Sequence, residues 1–560
     1  MPGSDSLTYH VEAVLAGDTP TPAPQPTWRL VAVYAALGLF LTWPAVLHLG
    51  DTVVGADRTD LWNTLWSLDH MASAVAEGRV PWRTHALGFP DGGVLLPADL
   101  LNGLLAAPLV WAFGAATAWG LCVQAHLAFS GLGAHLLARH LHRTDRAGWV
   151  AGVAWTAAPV LISGLHNGTS EAVGGGWLPI AIWLCLRIER SWARVGVAAA
   201  GLALALAASW YFGVCALLAA AFLAVSRRSP RVLLAVVLGA AAVLPLAVAT
   251  HRAAEHPEGL VLIKNDNEVA LVRRASGPVD PRTWVTPGDF RSPDFRDFSA
   301  FGEGFVHCTY LGLSLILLAP WGLTRRTGFL AVSGLVALVL ASGPVLVWSG
   351  RPVLIDDHLV VALPYALLEH VPGFSGLSLL YRLGALPTLA VAVLAGGAVA
   401  GRGGRWAPGL LALVVYADLR GASPTSALPD RVDVTVPAPL EVLRDAPEGA
   451  VLVYPLAGGR PHLYDQLTHR KPLAAILNFP ANDAAHRVWR VALQQSARGG
   501  SSDSLRRHVA SAAEREGVRY LVVRKEADTR PDLHAGAVAA LERALEPLAA
   551  DDRVAVYALW

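Results

Sequence analysis

Two carboxylates stand three residues apart in ADRTDLW, at Asp57 and Asp60, within a polar, aromatic-rich stretch (residues 50–99) between apolar segments. A carboxylate at a membrane edge is costly unless it has a function or a water shell. There it could take the proton of an acceptor hydroxyl, the base step of an inverting group transfer. It could equally hold a divalent metal that neutralises a phosphate leaving group, so Asp57 and Asp60 are the candidate ligands for Mg or Mn. Helix capping competes with both readings, because Asp57 can cap the helix that follows and Asp60 falls in its first turn.

That helix is legible in the spacing. Asp60, Asn63, Ser67, His70, Ser73 and Glu77 recur on one side, and Leu61, Leu65, Leu68, Ala72 and Val75 on the other, with Trp62 and Trp66 between. The pattern predicts an amphipathic helix lying at the membrane surface, with His70 on its polar face. A second candidate patch is the Gly-rich turn GLHNGTSEAVGGGW, where backbone could approach a ligand and His166 with Glu171 could bind a sugar or share a proton. An ordinary solvated turn is the alternative. Asn167-Gly168-Thr169 matches a glycosylation sequon, a pattern short enough to occur by chance. Tyr381 and Arg382 open a third apolar segment at the same face, where a guanidinium suits a lipid phosphate or simply snorkels. Trp177 is one of several tryptophans expected near the external interface, most of them as belt residues.

Composition sets the class. With 54% hydrophobic and 16% charged residues in 560, and a mean hydropathy of +0.44, the chain reads as a polytopic membrane protein. A net charge of +1 gives no case for nucleic acid. Cys122, Cys185, Cys215 and Cys308 fall singly, with no CxxC, so neither a disulfide nor a zinc site is expected. The first 28 residues read as a disordered cytoplasmic tail without the basic start of a signal peptide.

Apolar segments near 30–49, 100–114, 117–138, 147–163, 173–189, 194–209, 211–226, 231–250, 307–323, 327–348, 380–400 and 405–420 suggest about 11–13 membrane helices across residues 29–422. Arginines cluster at 139–146, 187–194, 227–231, 325–326 and 402–405; placed in the cytoplasm, they leave 50–99, 251–306 and 351–379 as external loops. Two full crossings between Asp99 and Arg139 would break that alternation, so 100–114 is expected to be partial or to lie on the external face. After a linker at 423–432, strand-like GAVLVYPL, VRYLVVRK and RVAVYALW alternate with helical stretches, which predicts a small α/β extracytoplasmic domain over 433–560. It carries no P-loop, GxGxxG or nucleophile elbow.

In succession, TDLWNTLW, GFPDGG, LLNGLLAAPL, AHLAFSGLGAHLLARHL, GLHNGTSEAVGGGWLP and LPYALLEHVPGFSGLSLLYRLG resemble the bacterial membrane glycosyltransferases of the GT-C superfamily. Within it they look most like YfhO-like and mannosyltransferase-like membrane proteins. The resemblance covers most of residues 30–560 and implies transfer of a sugar from a polyprenyl-phosphate donor to an acceptor outside the cytoplasmic membrane of a bacterium. It implies an essential acid in the first external loop, matched by Asp60 and next by Asp57. It also matches His166 and Trp177 to the second external turn and Arg382 to a basic residue after PGF. Two departures stand out: an arginine often found shortly before Arg382 appears here as Ser378 or Leu379, and DxxD replaces DxD. A transporter of lipid-linked saccharide would instead predict inverted repeats and charges near mid-membrane. A noncatalytic envelope scaffold would make the carboxylates dispensable.

Overall fold

Apolar runs become helices wherever the backbone has no other way to satisfy its hydrogen bonds away from water. The computed structural model describes residues 26–94, 100–188, 191–255, 273, 278–288, 305–356, 358–371, 374–401, 404–421, 430–455, 460–475, 483–499, 501–525 and 534–560. Among them, Leu100–His142, Asp145–His166, Trp210–Arg227, Pro230–Arg252 and Leu380–Val399 are long and apolar enough to cross a membrane. Shorter apolar helices at Thr27–Leu41, Trp177–Leu186, Ala193–Ala208, Leu313–Gly322 and Gly328–Ala341 accompany them. The chain is a multi-pass membrane protein. The tail before Pro26, most of loop 251–306, Pro372 and the linker prolines Pro424 and Pro429 lie outside the described residues.

Two breaks position the site. The segments expected at 100–114 and 117–138 form one helix, Leu100–His142, kinked at Gly114, whose φ of 78° and ψ of 165° suit a residue without a Cβ. The limb over 100–113 is about 20 Å long, short of the ~30 Å hydrocarbon core. It lies against the first-loop helix Leu61–Ala76, where the Trp111 indole donates to Ala72 O at 2.9 Å. Farther on, Pro159 has no N–H to continue the helix from Asp145, and Ala158 is pushed to an extended ψ of 133°. The chain restarts as Pro159–His166 and ends in the turn that carries His166, Asn167 and Gly168.

The first-loop helix is amphipathic in sequence but not a surface helix. Asn63 and His70 are buried along with Leu61, Leu65, Trp66 and Leu68. The cover is the terminal domain. Its four-stranded sheet runs in the order Pro547–Ala550, Val554–Ala558, Val518–Arg524, Ala450–Tyr454; the last two strands pair parallel and the others antiparallel. Alternation sends Leu452, Leu521, Val523, Ala555 and Tyr557 to one face, under helices Asp483–Ala497, Ser502–Glu516 and Ala535–Ala544. It sends Val451, Val453, Tyr520, Val522 and Val556 to the other, where they share a core with Trp66 and Leu87 of the first loop. Trp66 is fully buried and donates to Gln466 Oε1 at 3.0 Å, from the helix Pro461–His469. The end of the linker is also tied in: Arg431–Asp433 pairs antiparallel with Thr52–Val54.

Candidate active site

The first loop is held by three bonds to the turn after His166. Ala56 N–H donates to His166 O at 2.7 Å, Asp60 N–H to Asn167 O at 3.1 Å, and the Thr64 hydroxyl to Gly168 O at 2.7 Å. Gly168 has a φ of +63°, and a Cβ there would overlap the backbone of Leu61, so the close approach needs glycine at this position.

Asp60 sits at the helix start, where the macrodipole favours a negative charge, yet its side chain makes no capping bond. Its Oδ1 instead accepts from Asn63 Nδ2 at 3.2 Å and from Arg460 Nη1 of the terminal domain at 2.7 Å. About a third of the carboxylate side chain is exposed. Asp57 likewise does not cap the helix through the bond seen here: its Oδ1 accepts from the Trp62 indole at 2.8 Å.

Arg382 pairs with Glu171 and lies over the rings of Tyr211 and Tyr381, at 5.3 and 5.9 Å. These aromatics, with Asn167 and His307, line a narrow cleft of about 20 Å³, enough for roughly one water. His307 stacks on Tyr381 at 4.7 Å. Asn167 brackets the neighbouring backbone, accepting from Val306 N–H at 2.9 Å and donating to Val306 O at 2.7 Å. With its amide so engaged and buried, Asn167 is a structural clamp and offers no sequon. A larger cavity of about 460 Å³ lies on the Asp57 side, between the first loop and the terminal domain. Asp60 lines neither cavity. It is joined to the first through Asn167, and to the second through Arg460, which precedes the lining residue Pro461.

Three arrangements in the structure differ from those the sequence led us to expect. Glu171 partners Arg382, whereas His166 Nδ1 lies 3.0 Å from Asp430 Oδ2, so the expected imidazole and carboxylate do not form a pair with each other. The His166 bond holds the Asp430 carboxyl below its usual range. His70 stacks on Trp66 at 4.9 Å and bonds Pro81 O through Nε2 at 2.9 Å. Burial lowers its pKa, and it stands apart from the Asp60 group as part of the seam with the terminal domain. Trp177 packs edge-on against Phe129 at 5.0 Å and lines neither cavity. Arg460, Tyr211 and His307 are the residues that sequence reading missed as site candidates. Arg460 lies 400 residues from Asp60, and no local pattern announces such a pairing.

The donors do not fit a divalent cation as arranged. Among the described residues no three His, Cys, Asp or Glu side chains are placed to hold one metal ion, and Asp60 and Asp57 point their bonded oxygens at a guanidinium and an indole.

No family model and no curated protein matches the sequence. Solved structures do. Over 96% of its length the chain is similar to the arabinofuranosyltransferase AftD from Mycobacteria, with a TM-score of 0.56 and 16% identity. The chain has a GT-C fold. It spans 40% of the AftD chain. More distant matches are the oligosaccharyltransferase AglB of Archaeoglobus fulgidus, in complex with an inhibitory peptide and a dolichol-phosphate, and ArnT of Cupriavidus metallidurans, bound to undecaprenyl phosphate. AglB has a TM-score of 0.47 and 12% identity, covering 89% of this chain and 69% of its own. ArnT has 0.46 and 13%, covering 95% and 98%. The match to AftD carries the fold alone and not the narrower YfhO-like or mannosyltransferase-like grouping.

Proposed function

We propose that this chain is a membrane glycosyltransferase that moves a sugar from a polyprenyl-phosphate carrier to an acceptor on the extracytoplasmic side of a bacterial inner membrane. The reading is supported by the fold shared with an arabinofuranosyltransferase. One observation carries it: three hydrogen bonds clamp the first loop around Asp60, on a helix start, to the turn at 166–168, whose Asn167 lines the same cleft as Arg382. Asp60 takes the proton of the acceptor hydroxyl as its oxygen bonds to the anomeric carbon. The bond from that carbon to the carrier phosphate breaks, and the departing phosphate keeps the electron pair. Arg382, released from Glu171, meets the charge that develops there. Arg460 must leave Asp60 for the acceptor to reach it, and no step runs through a metal.

The test is transfer in liposomes containing the purified chain and a panel of polyprenyl-phosphate sugars, with Asp60→Asn and Arg382→Gln as comparisons. Product formed by the native chain and lost in both variants supports the assignment. Native-like transfer by Asp60→Asn rejects it.

A further inference from the structure

The cavity of about 460 Å³ between the first loop and the terminal domain has the volume of a small-ligand site, and the proposed chemistry does not use its lining. We infer that it is a saccharide-binding subsite for the acceptor, an inference that rests on the glycosyltransferase reading above. Its walls are mixed. Four aspartates and three arginines line it, together with the rings of Trp62 and Tyr464, whose centroids lie 5.9 Å apart.

The charge arrangement selects the ligand class. A phosphate would meet more carboxylates than guanidiniums, and one of those guanidiniums, Arg524, is already paired with Asp465. A metal ion is not favoured either: among the described residues no three His, Cys, Asp or Glu side chains are placed to hold one, and Asp57, Asp430 and Asp433 each already accept from a protein donor, the Trp62 indole at 2.8 Å, His166 at 3.0 Å and Thr435 N–H at 2.7 Å. A neutral polyol meets neither obstacle. Asp57, Asp430 and Asp433 each have a second carboxylate oxygen to accept from sugar hydroxyls, and the half-buried Tyr464, backed by the buried Trp62, offers ring surface to the apolar face of a sugar.

Location supports the same class. Asp57 and Trp62 flank Asp60 in sequence, and Pro461 follows the arginine that holds Asp60. A sugar bound here needs only the withdrawal of Arg460 to bring a hydroxyl to the Asp60 carboxylate. The lipid carrier approaches from the Arg382 side, so donor and acceptor reach Asp60 from different directions.

The experiment is saturation-transfer NMR on the full chain in nanodiscs with methyl glycosides of mannose, glucose and arabinofuranose, each at millimolar concentration. Native protein and Asp60→Asn are expected to transfer saturation to at least one glycoside, and Tyr464→Leu to lose at least fivefold of it. Asp433→Asn, on an exposed side chain, gives the same loss and decides the matter if Tyr464→Leu does not fold. Slow hydrolysis of a polyprenyl-phosphate sugar to water is read in parallel, because it needs no acceptor subsite. Glycoside binding without hydrolysis would remove the transferase reading and leave a saccharide site. Hydrolysis with no glycoside bound, or binding unchanged in both lining variants, overturns this inference. Displacement of the glycoside by millimolar inorganic phosphate also overturns it, in favour of an anion site.

Discussion

Asp60 and Arg382 are each matched with an opposite charge that a substrate would have to replace. A positioned general base contributes about 10²–10⁴ in rate, so Asp60→Asn should lower transfer by that factor while leaving the melting temperature within a few degrees. Arg460→Gln is expected to behave differently. The Arg460–Asp60 pair is about a third exposed on either side, where solvent screens such bridges to less than about 1 kcal/mol. Its loss should therefore change stability little and should not lower transfer, as a thermal shift read beside the liposome assay will report. A fall in transfer comparable to that of Asp60→Asn would make Arg460 part of the chemistry. At this scale the sequence pointed to Asp60, Arg382 and the turn between them as candidates. It could not expose Arg460 or His307, because a contact made across several hundred residues leaves no periodicity and no spacing to read.

Between elements, the register depends on one close approach. Gly168 carries a left-handed φ with the Leu61 backbone where a side chain would sit, so Gly168→Ala is strained twice over, by about 1–3 kcal/mol. The expected outcome is a lower melting temperature and a transfer rate reduced at least tenfold with Asp60 intact, since Asp60 N–H and Thr64 both bond to this turn. A fully active Gly168→Ala protein would show that the clamp does not set the carboxylate's position. A second lock uses the same device: Tyr34 donates toward His135 Nδ1 at 3.0 Å, and Gly152 leaves the room its hydroxyl occupies. The first-loop helix was plain in its spacing, yet its setting was not. Apolar residues on one side with tryptophans between fit a membrane surface and a buried seam equally well, and only the location of Gln466 and Tyr464 separates the two.

For the whole molecule, the seam with the terminal domain makes stability depend on pH. Burial, with the charges of Lys471 and Arg470, holds His469 down at about 4, against about 6.5 for an unperturbed histidine. Between those values the unfolded chain binds the proton and the folded chain does not, so this contribution is complete above about pH 6.5 and is lost as the pH falls toward about 4. Its size is on the order of 3 kcal/mol, and His70, lowered by burial in the same seam, acts with the same sign. Thermal melts between pH 7 and 4 should show the loss. His469→Gln should flatten it, and an unchanged slope in that variant would assign the effect to other groups. The membrane class and the terminal α/β sheet were both visible in composition and alternation. That the sheet shares a core with Trp66 and Leu87 was not, because a strand's alternation shows that it has two faces without naming what covers either.

The pairing of Thr52–Val54 with Arg431–Asp433 also bears on the order in which the protein is made. A ribosome delivers the acidic loop early and its strand partner hundreds of residues later, so the loop must wait with one edge unpaired. A chain halted after residue 421 should therefore expose the Gly50–Arg58 region to added protease, and synthesis on through residue 560 should close it.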